Sequence, residues 1–160
     1  MLSLTRSTAA MLASVIGAFL VLTTAPPALA ESYDWYTNRE PLSVSDDDQL
    51  RGSAFGTAYQ KNGYLKNHTF YKDRRNNDHG VYTETSYSYY RFCDSEIKWC
   101  GDMYKDQSAR TRSADWQDQY DNDDYSTRGA DRGRVHVKVC EDQKWSGDPC
   151  SRKPYYTFSL

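Results

Sequence analysis

Hydrophobic and polar positions along the chain fall into short runs of period two. The cleanest is "RVHVKVC" (Arg134 to Cys140). Val135, Val137 and Val139 point one way and Arg134, His136 and Lys138 the other, the pattern of a strand with one buried face. "GSAFGTAYQ" (Gly52 to Gln60) places Phe55, Thr57 and Tyr59 on one face. Asn62-Gly63 then supplies a turn pair that tolerates positive φ, and "YLKNHTFY" returns with Tyr64, His68 and Phe70 at even steps. The longest run, "VYTETSYSYYRFC" (Val81 to Cys93), carries Tyr87 and Tyr89 on its odd positions and Tyr82, Tyr90 and Phe92 on its even ones. Periodicity does not choose between these faces; two-sided patterning suits a central strand whose far face is partly covered. "YYTFSL" is the last strand expected.

Between these runs the pattern is weaker. Residues 31–50 contain Pro41 and the run Asp46-Asp47-Asp48 and read as an irregular N-terminal arm, with an edge strand at most around Tyr33 to Tyr36. A further strand is expected around Tyr104 to Arg112. A short helix from Ser113 to Tyr120 is the alternative nearby, because Ser113 can cap it and Trp116 and Tyr120 lie four apart. Residues 120–133 read as loop. The sum is an all-β chain, an antiparallel β-sandwich or open barrel of six to eight short strands.

The N-terminus changes the picture of where this fold works. Arg6 precedes an apolar run from about Ala9 to Leu22, and the stretch closes on Ala28-Leu29-Ala30. That is the pattern of a signal peptide over residues 1–30, cleaved after Ala30, and it predicts a secreted, extracellular protein. The run is shorter than the roughly 20 residues a bilayer span needs, so no membrane association is expected after cleavage. A single β domain is expected over 51–160. The chain from Glu31 onward carries 19 Lys and Arg against 22 Asp and Glu, too balanced to suggest nucleic acid as a partner. A monomer is expected.

From Glu31 onward there are 14 Tyr, 4 Trp and 4 Phe against only 11 Val, Ile, Leu and Met. So few aliphatics would suggest disorder, but each aromatic ring buries on the order of 150–250 Å². The expectation is a core built largely from tyrosine rings. Four cysteines, in a chain expected to be exported, read as two disulfides. Three connectivities are open; proximity favours Cys93 with Cys100 and Cys140 with Cys150. Each would close a short loop after a strand and contribute roughly 2.5–3 kcal/mol in the chain-entropy model.

Candidate chemistry is sparse. His68, His79 and His136 stand in no HExxH or helical pairing, and no cysteine pair has metal-finger spacing, so no metal or cofactor is expected. Glu84, central in the tyrosine-rich strand, is the best lone candidate for a glycosidase-type acid, since apolar neighbours would raise its pKa. Asp118, Asp121, Asp123 and Asp124 read as an acidic loop that could cradle Ca²⁺ with backbone carbonyls, although the glycine and terminal glutamate of an EF-hand are missing. Asn67-His68-Thr69 matches a glycosylation sequon. The aromatic surplus is more informative. Trp99 and Trp145 inside the two Cys-bracketed loops, with Tyr82 and Tyr90 on one strand face, could form a stacking platform for a sugar or a peptide. Alternatively, each tryptophan packs over its own disulfide or closes an end of the core.

"DHGVYTETSYSYY" followed by "RVHVKVCEDQKWSGDPCS" resembles small exported, disulfide-containing β-rich proteins of high-GC filamentous soil bacteria. That resemblance implies export and a disulfide-pinned β fold, and it carries over no site residue. The function expected is non-enzymatic binding of an extracellular polysaccharide or protein. The alternatives are a small secreted glycosidase-like hydrolase, or an inhibitor or toxin presenting a disulfide-closed loop such as Asp142 to Pro149.

Overall fold

Nine strands and no helix make up residues 31–75 and 77–160, the part of the chain that this computed structural model describes. The signal peptide read at 1–30 lies outside the described residues. In chain order the strands are β1 (Ser32–Trp35), β2 (Leu42–Asp46), β3 (Gln49–Lys61), β4 (Tyr64–Asp73), β5 (Gly80–Cys93), β6 (Glu96–Gln107), β7 (Gln117–Asp124), β8 (Arg132–Asp142) and β9 (Tyr155–Ser159). They form two open antiparallel sheets, one ordered β1-β3-β4-β7 with β2 also on β3, the other β6-β5-β8-β9. The expected sandwich is present, and so are both local disulfides, Cys93–Cys100 and Cys140–Cys150.

The expected irregular arm is instead an edge strand in two pieces. β1 pairs with Gly56 to Tyr59 and β2 with Gln49 to Ala54, both antiparallel to β3, and residues 36–41 loop out between them. Trp35, Leu42 and Val44 from this segment are all buried in the core. The excursion interrupts the period of two, which hides the strand in the sequence. Residues 113–120 form no helix, and residues 120–124, expected as loop, complete β7. β7 turns aspartates, Asp121 and Asp123, toward the interior, so a hydrophobic period could not reveal it.

The core differs from expectation in composition. Val81, Val135, Val137 and Val139 of the four-stranded sheet pack with Leu42, Val44 and Leu65; of the tyrosines Tyr71, Tyr87 and Tyr89 are buried among them, and Tyr36, Tyr125 and Tyr156 pack against the cluster from its margin. Aliphatics carry most of the interior because β3 turns its small residues inward. Phe55, Thr57 and Tyr59 occupy the outer face, and Gly52, Ala54, Gly56 and Ala58 face the other sheet. At Gly56 a Cβ would lie 2.1 Å from the His68 carbonyl oxygen and 2.8 Å from the Trp35 ring. That missing side chain is the space Trp35 uses.

Trp35 then starts a buried polar relay. Its Nε1 donates to Asn67 Oδ1 (2.8 Å), and the Asn67 amide donates to Thr69 Oγ1 (2.6 Å) and Thr85 Oγ1 (2.9 Å). Thr85 donates onward to Asp121 Oδ2 (2.6 Å). A second cross-sheet contact joins the Tyr89 hydroxyl, as donor, to Asp123, which also accepts from Arg128 (2.9 Å). Burial, with Asp123 next in weight, holds the Tyr89 phenol far above its ordinary value. Because Asn67 is fully buried and all three of its hydrogen bonds are internal, the sequon is closed to a glycan in the folded chain.

Truncating one member of a satisfied buried network strands the rest. Asn67→Ala should therefore lower unfolding free energy by about 2–3 kcal/mol, read as a reduced urea midpoint with unchanged slope. A loss below about 0.5 kcal/mol would mean that the relay is dispensable.

Candidate functional site

On the outer face of the four-stranded sheet the central strand carries small side chains and its neighbours carry long ones. β5 contributes Glu84, Ser86, Ser88 and Tyr90; β8 contributes Arg132, Arg134, His136 and Lys138. The register sets Tyr90 opposite Trp99 on β6 and Arg132 on β8, Ser88 opposite Arg134, Ser86 opposite His136, and His136 opposite Tyr155 on β9. Ser86 and Ser88 are almost fully covered, as expected when longer chains lean across a row of short ones.

The covering is ordered by cation–π contact. The Arg134 guanidinium carbon lies 3.7 Å from the Trp99 ring centroid and 4.2 Å from that of Tyr155, and its Nε donates to Thr157 Oγ1 (3.3 Å). Arg132 lies 4.2 Å over Tyr90, whose ring is 5.5 Å from Trp99. Such contacts contribute about 0.5–1 kcal/mol each when exposed. Here they also remove rotamer freedom from two long cations. His136 shares a 2.8 Å hydrogen bond with Ser88 Oγ and lies 5.4 Å from the Tyr155 ring.

Of the four aromatics expected to form a platform, the fold brings two together. Tyr90 and Trp99 are cross-strand partners. Tyr82 faces the same way but sits eight residues along β5, about 27 Å away, with Arg110 4.3 Å over its ring. It is buried and donates to Asp148 Oδ2 (2.8 Å); burial and that hydrogen bond push its phenol up to about 12. Trp145 belongs to neither group. It is 96% exposed on the Cys140–Cys150 loop, so it covers no disulfide and closes no core. That loop is held from below: Asp148 also accepts from the Gln143 amide (2.9 Å), and Glu141 N–H donates to the Pro149 carbonyl (3.1 Å). Tyr82 thus supports one loop, and Trp99 belongs to a face that the other disulfide borders.

Arg132, Arg134 and Tyr155 complete the face, and sequence reasoning did not assign them to it. The outward set of β8 was legible from its alternation. That β9 folds back to place Tyr155 against Arg134 was not, because only strand order decides it.

Glu84 is no raised-pKa acid. Burial pushes its carboxyl up, but the hydrogen bond from Gln107 (3.3 Å) and the charges of Lys138 (3.3 Å) and Lys105 (4.0 Å) outweigh burial and hold it below the ordinary value. The four aspartates share no loop. Asp118 points outward, 3.4 Å from His68, Asp121 and Asp123 point inward into the relay, and Asp124 caps Ser126. Strand geometry separates alternate residues onto opposite faces, so these carboxylates do not converge; among the described residues no group of three metal-binding side chains is present. His79 Nδ1 lies 3.2 Å from the Asp142 carbonyl, within the loop network.

The outer face of the five-stranded sheet is aromatic too. There, however, the rings stack on one another: Phe55 on Phe70 at 5.0 Å and 19°, His68 on Tyr120 at 3.9 Å and 13°. Each stacked ring has one face covered by its neighbour, Tyr120 remaining 61% exposed, and Trp116 stands edge-on against Phe55 at 4.8 Å. A hollow of 260 Å³ remains beside Phe55 and Phe70, walled by the 36–41 excursion. The arginine-bearing face is the better candidate because Arg134 is held by two rings, Trp99 and Tyr155, whereas on this face Lys72 meets one, Trp116 at 4.4 Å.

Comparison with known protein families, with curated proteins and with solved structures finds no match.

The lowered Glu84 carboxyl stabilises the fold above its ordinary value of 4.5, and that contribution disappears as pH falls through the native value. Glu84→Gln should cost about 1 kcal/mol at pH 7, the upper end for partly exposed pairs, and measurably less at pH 3. Denaturant titrations of both proteins at the two pH values measure this; an equal cost at both would remove the ion pair from the account.

Proposed function

We propose that the chain is a secreted, non-enzymatic β-sandwich that binds an extracellular polysaccharide on the outer face of its four-stranded sheet. The observation that carries this reading is the Tyr90–Trp99–Arg134–Tyr155 arrangement, two adjacent rings and a guanidinium held against a third, at successive separations of 5.5, 3.7 and 4.2 Å. Sugar rings present apolar C–H patches beside hydroxyls, and recognising them takes aromatic surface with donors fixed next to it. Arg134 has lost most of its rotamer freedom to Trp99 and Tyr155, so little more is lost when a ligand is bound.

Two disulfides fit an oxidising compartment, and the signal-like N-terminus supports export. The ion-paired state of Glu84 supports a binding role, since a glycosidase acid needs its proton held to higher pH. A second reading rests on Trp145: a fully exposed tryptophan on a covalently closed loop is the form of a protein-docking anchor.

Affinity electrophoresis through gels containing soluble glycans, with pull-down on insoluble ones, tests the first reading. Wild type should be retarded by at least one glycan, and Trp99→Ala should weaken that binding tenfold or more, about 1.4 kcal/mol. Trp145→Ala should bind as wild type does. Retention on no glycan would sink the reading, and loss on Trp145→Ala alone would transfer the site to the loop.

A further inference from the structure

Building on the polysaccharide reading above, we infer that the polymer is polyanionic, a chain of uronate or sulfate-bearing sugars, and that Arg132 and Arg134 read its charges. Three observations lead there. First, the face is charged against the balance of the whole chain. Around Trp99 it is positive: Arg132, Arg134, Lys105 and Lys138 stand there against Glu84, while Asp142, paired with Arg110 at 3.4 Å, and Asp148 lie toward the Tyr82 end, and the complete chain is at −2. Negative charge is thus set apart from the two arginines, at the far end of this face and along β7.

Second, the two arginines are held by rings and by no acid. Among the described residues neither guanidinium lies within ion-pair distance of a carboxylate. Arg134 is held between Trp99 and Tyr155 and Arg132 over Tyr90. An arginine stacked in this way keeps its charge and its forked N–H edge, the geometry that matches carboxylate and sulfate oxygens in pairs. Most other cations nearby are already paired: Lys98 with Asp94 and Glu96 at 3.3 and 2.9 Å, Lys138 with Glu84 at 3.3 Å.

Third, the spacing is linear. Arg132, Arg134, His136 and Lys138 alternate on one strand, about 6.7 Å apart and spanning about 20 Å. A row of that length suits several units of an extended polymer better than a single small ion. Single-stranded nucleic acid also carries a row of charges, but it is gripped by bases stacking on open ring faces. Here Arg134 covers one surface of Trp99 and one of Tyr155, so the ring surface that remains lies beside fixed charge and suits a hydroxyl-rich anionic chain over a file of stacked bases.

The experiment uses the full chain and four probes: heparin, polygalacturonate, neutral xylan and single-stranded oligo-dT, each titrated from 50 to 500 mM NaCl. The acidic polysaccharides should bind at least tenfold tighter than xylan, and their affinity should fall steeply with salt. The double variant Arg132→Gln, Arg134→Gln should lose tenfold or more on the acidic polymers and show a flatter salt dependence. Lys72→Gln, on the opposite sheet, should keep both, and a denaturant midpoint for each variant excludes misfolding as the cause. Equal, salt-insensitive binding to xylan would overturn the polyanion assignment while leaving the polysaccharide reading intact. Preference for oligo-dT, or binding to none of the four, would overturn both.

Discussion

The hydrogen-bonded relay from Trp35 through Asn67 and Thr85 to Asp121 is the constraint on which the rest of this sandwich depends. Two sheets that met only through methyl groups could slide, since hydrophobic contact is non-directional. Asn67 prevents that, because its one acceptor and two donors each have a single partner at 2.6–2.9 Å. A slip of one residue in β4 would turn Asn67 outward and leave the Trp35 indole and the Thr85 hydroxyl to find other partners. Register is thereby fixed on β1, β4, β5 and β7 together. Both outer faces inherit their composition from that choice.

The inward demands of the relay explain the small residues of β3. Trp35 needs room above Gly56, and Val81 comes so close that a Cβ on Gly52 would lie 2.7 Å from it. With β3 reduced to glycine and alanine on the core side, its aromatics stand on the outside. There they stack with Phe70 and Trp116 into a closed row. The opposite sheet resolves the same surplus differently. Its outward aromatics come from β5, β6 and β9, and arginines from β8 interleave them. One sheet therefore ends with rings satisfied by rings, the other with rings satisfied by cations. The first also carries a cation over a ring, Lys72 at 4.4 Å from Trp116, but only the second clamps a guanidinium between two rings.

The disulfides take different parts in this. Cys140–Cys150 ties the chain after β8 back onto its own edge, where Ser151 N–H donates to the Val139 carbonyl (2.9 Å), and so steadies the loop that displays Trp145. Cys93–Cys100 spans the β5–β6 hairpin, whose turn residues Asp94 and Ser95 both take positive φ. That link stands beside Trp99 and helps hold β6 where Arg134 can reach it. Of the two Cys-bracketed tryptophan loops, one thus exposes its tryptophan and the other packs it under an arginine.

The sequence by itself determined the local facts. Alternation in Arg134 to Cys140 set which residues of β8 face out, Asn62-Gly63 set the first hairpin, and short spacing favoured the two local clamps among three possible pairings. These were legible because each depends on neighbours within about ten positions. The tertiary structure decided what depends on partners far along the chain. It alone showed that Trp35 belongs to the core through Asn67, 32 residues away, and that β7 is a strand whose inward aspartates answer Thr85 and Tyr89. It alone placed Tyr155 beside Arg134 and left Trp145 and Tyr82 out of the platform. The physical reason is the same in each case. A strand has no internal hydrogen bonds, so its place, its buried face and the company its side chains keep are settled by pairing across the sheet and by packing between sheets.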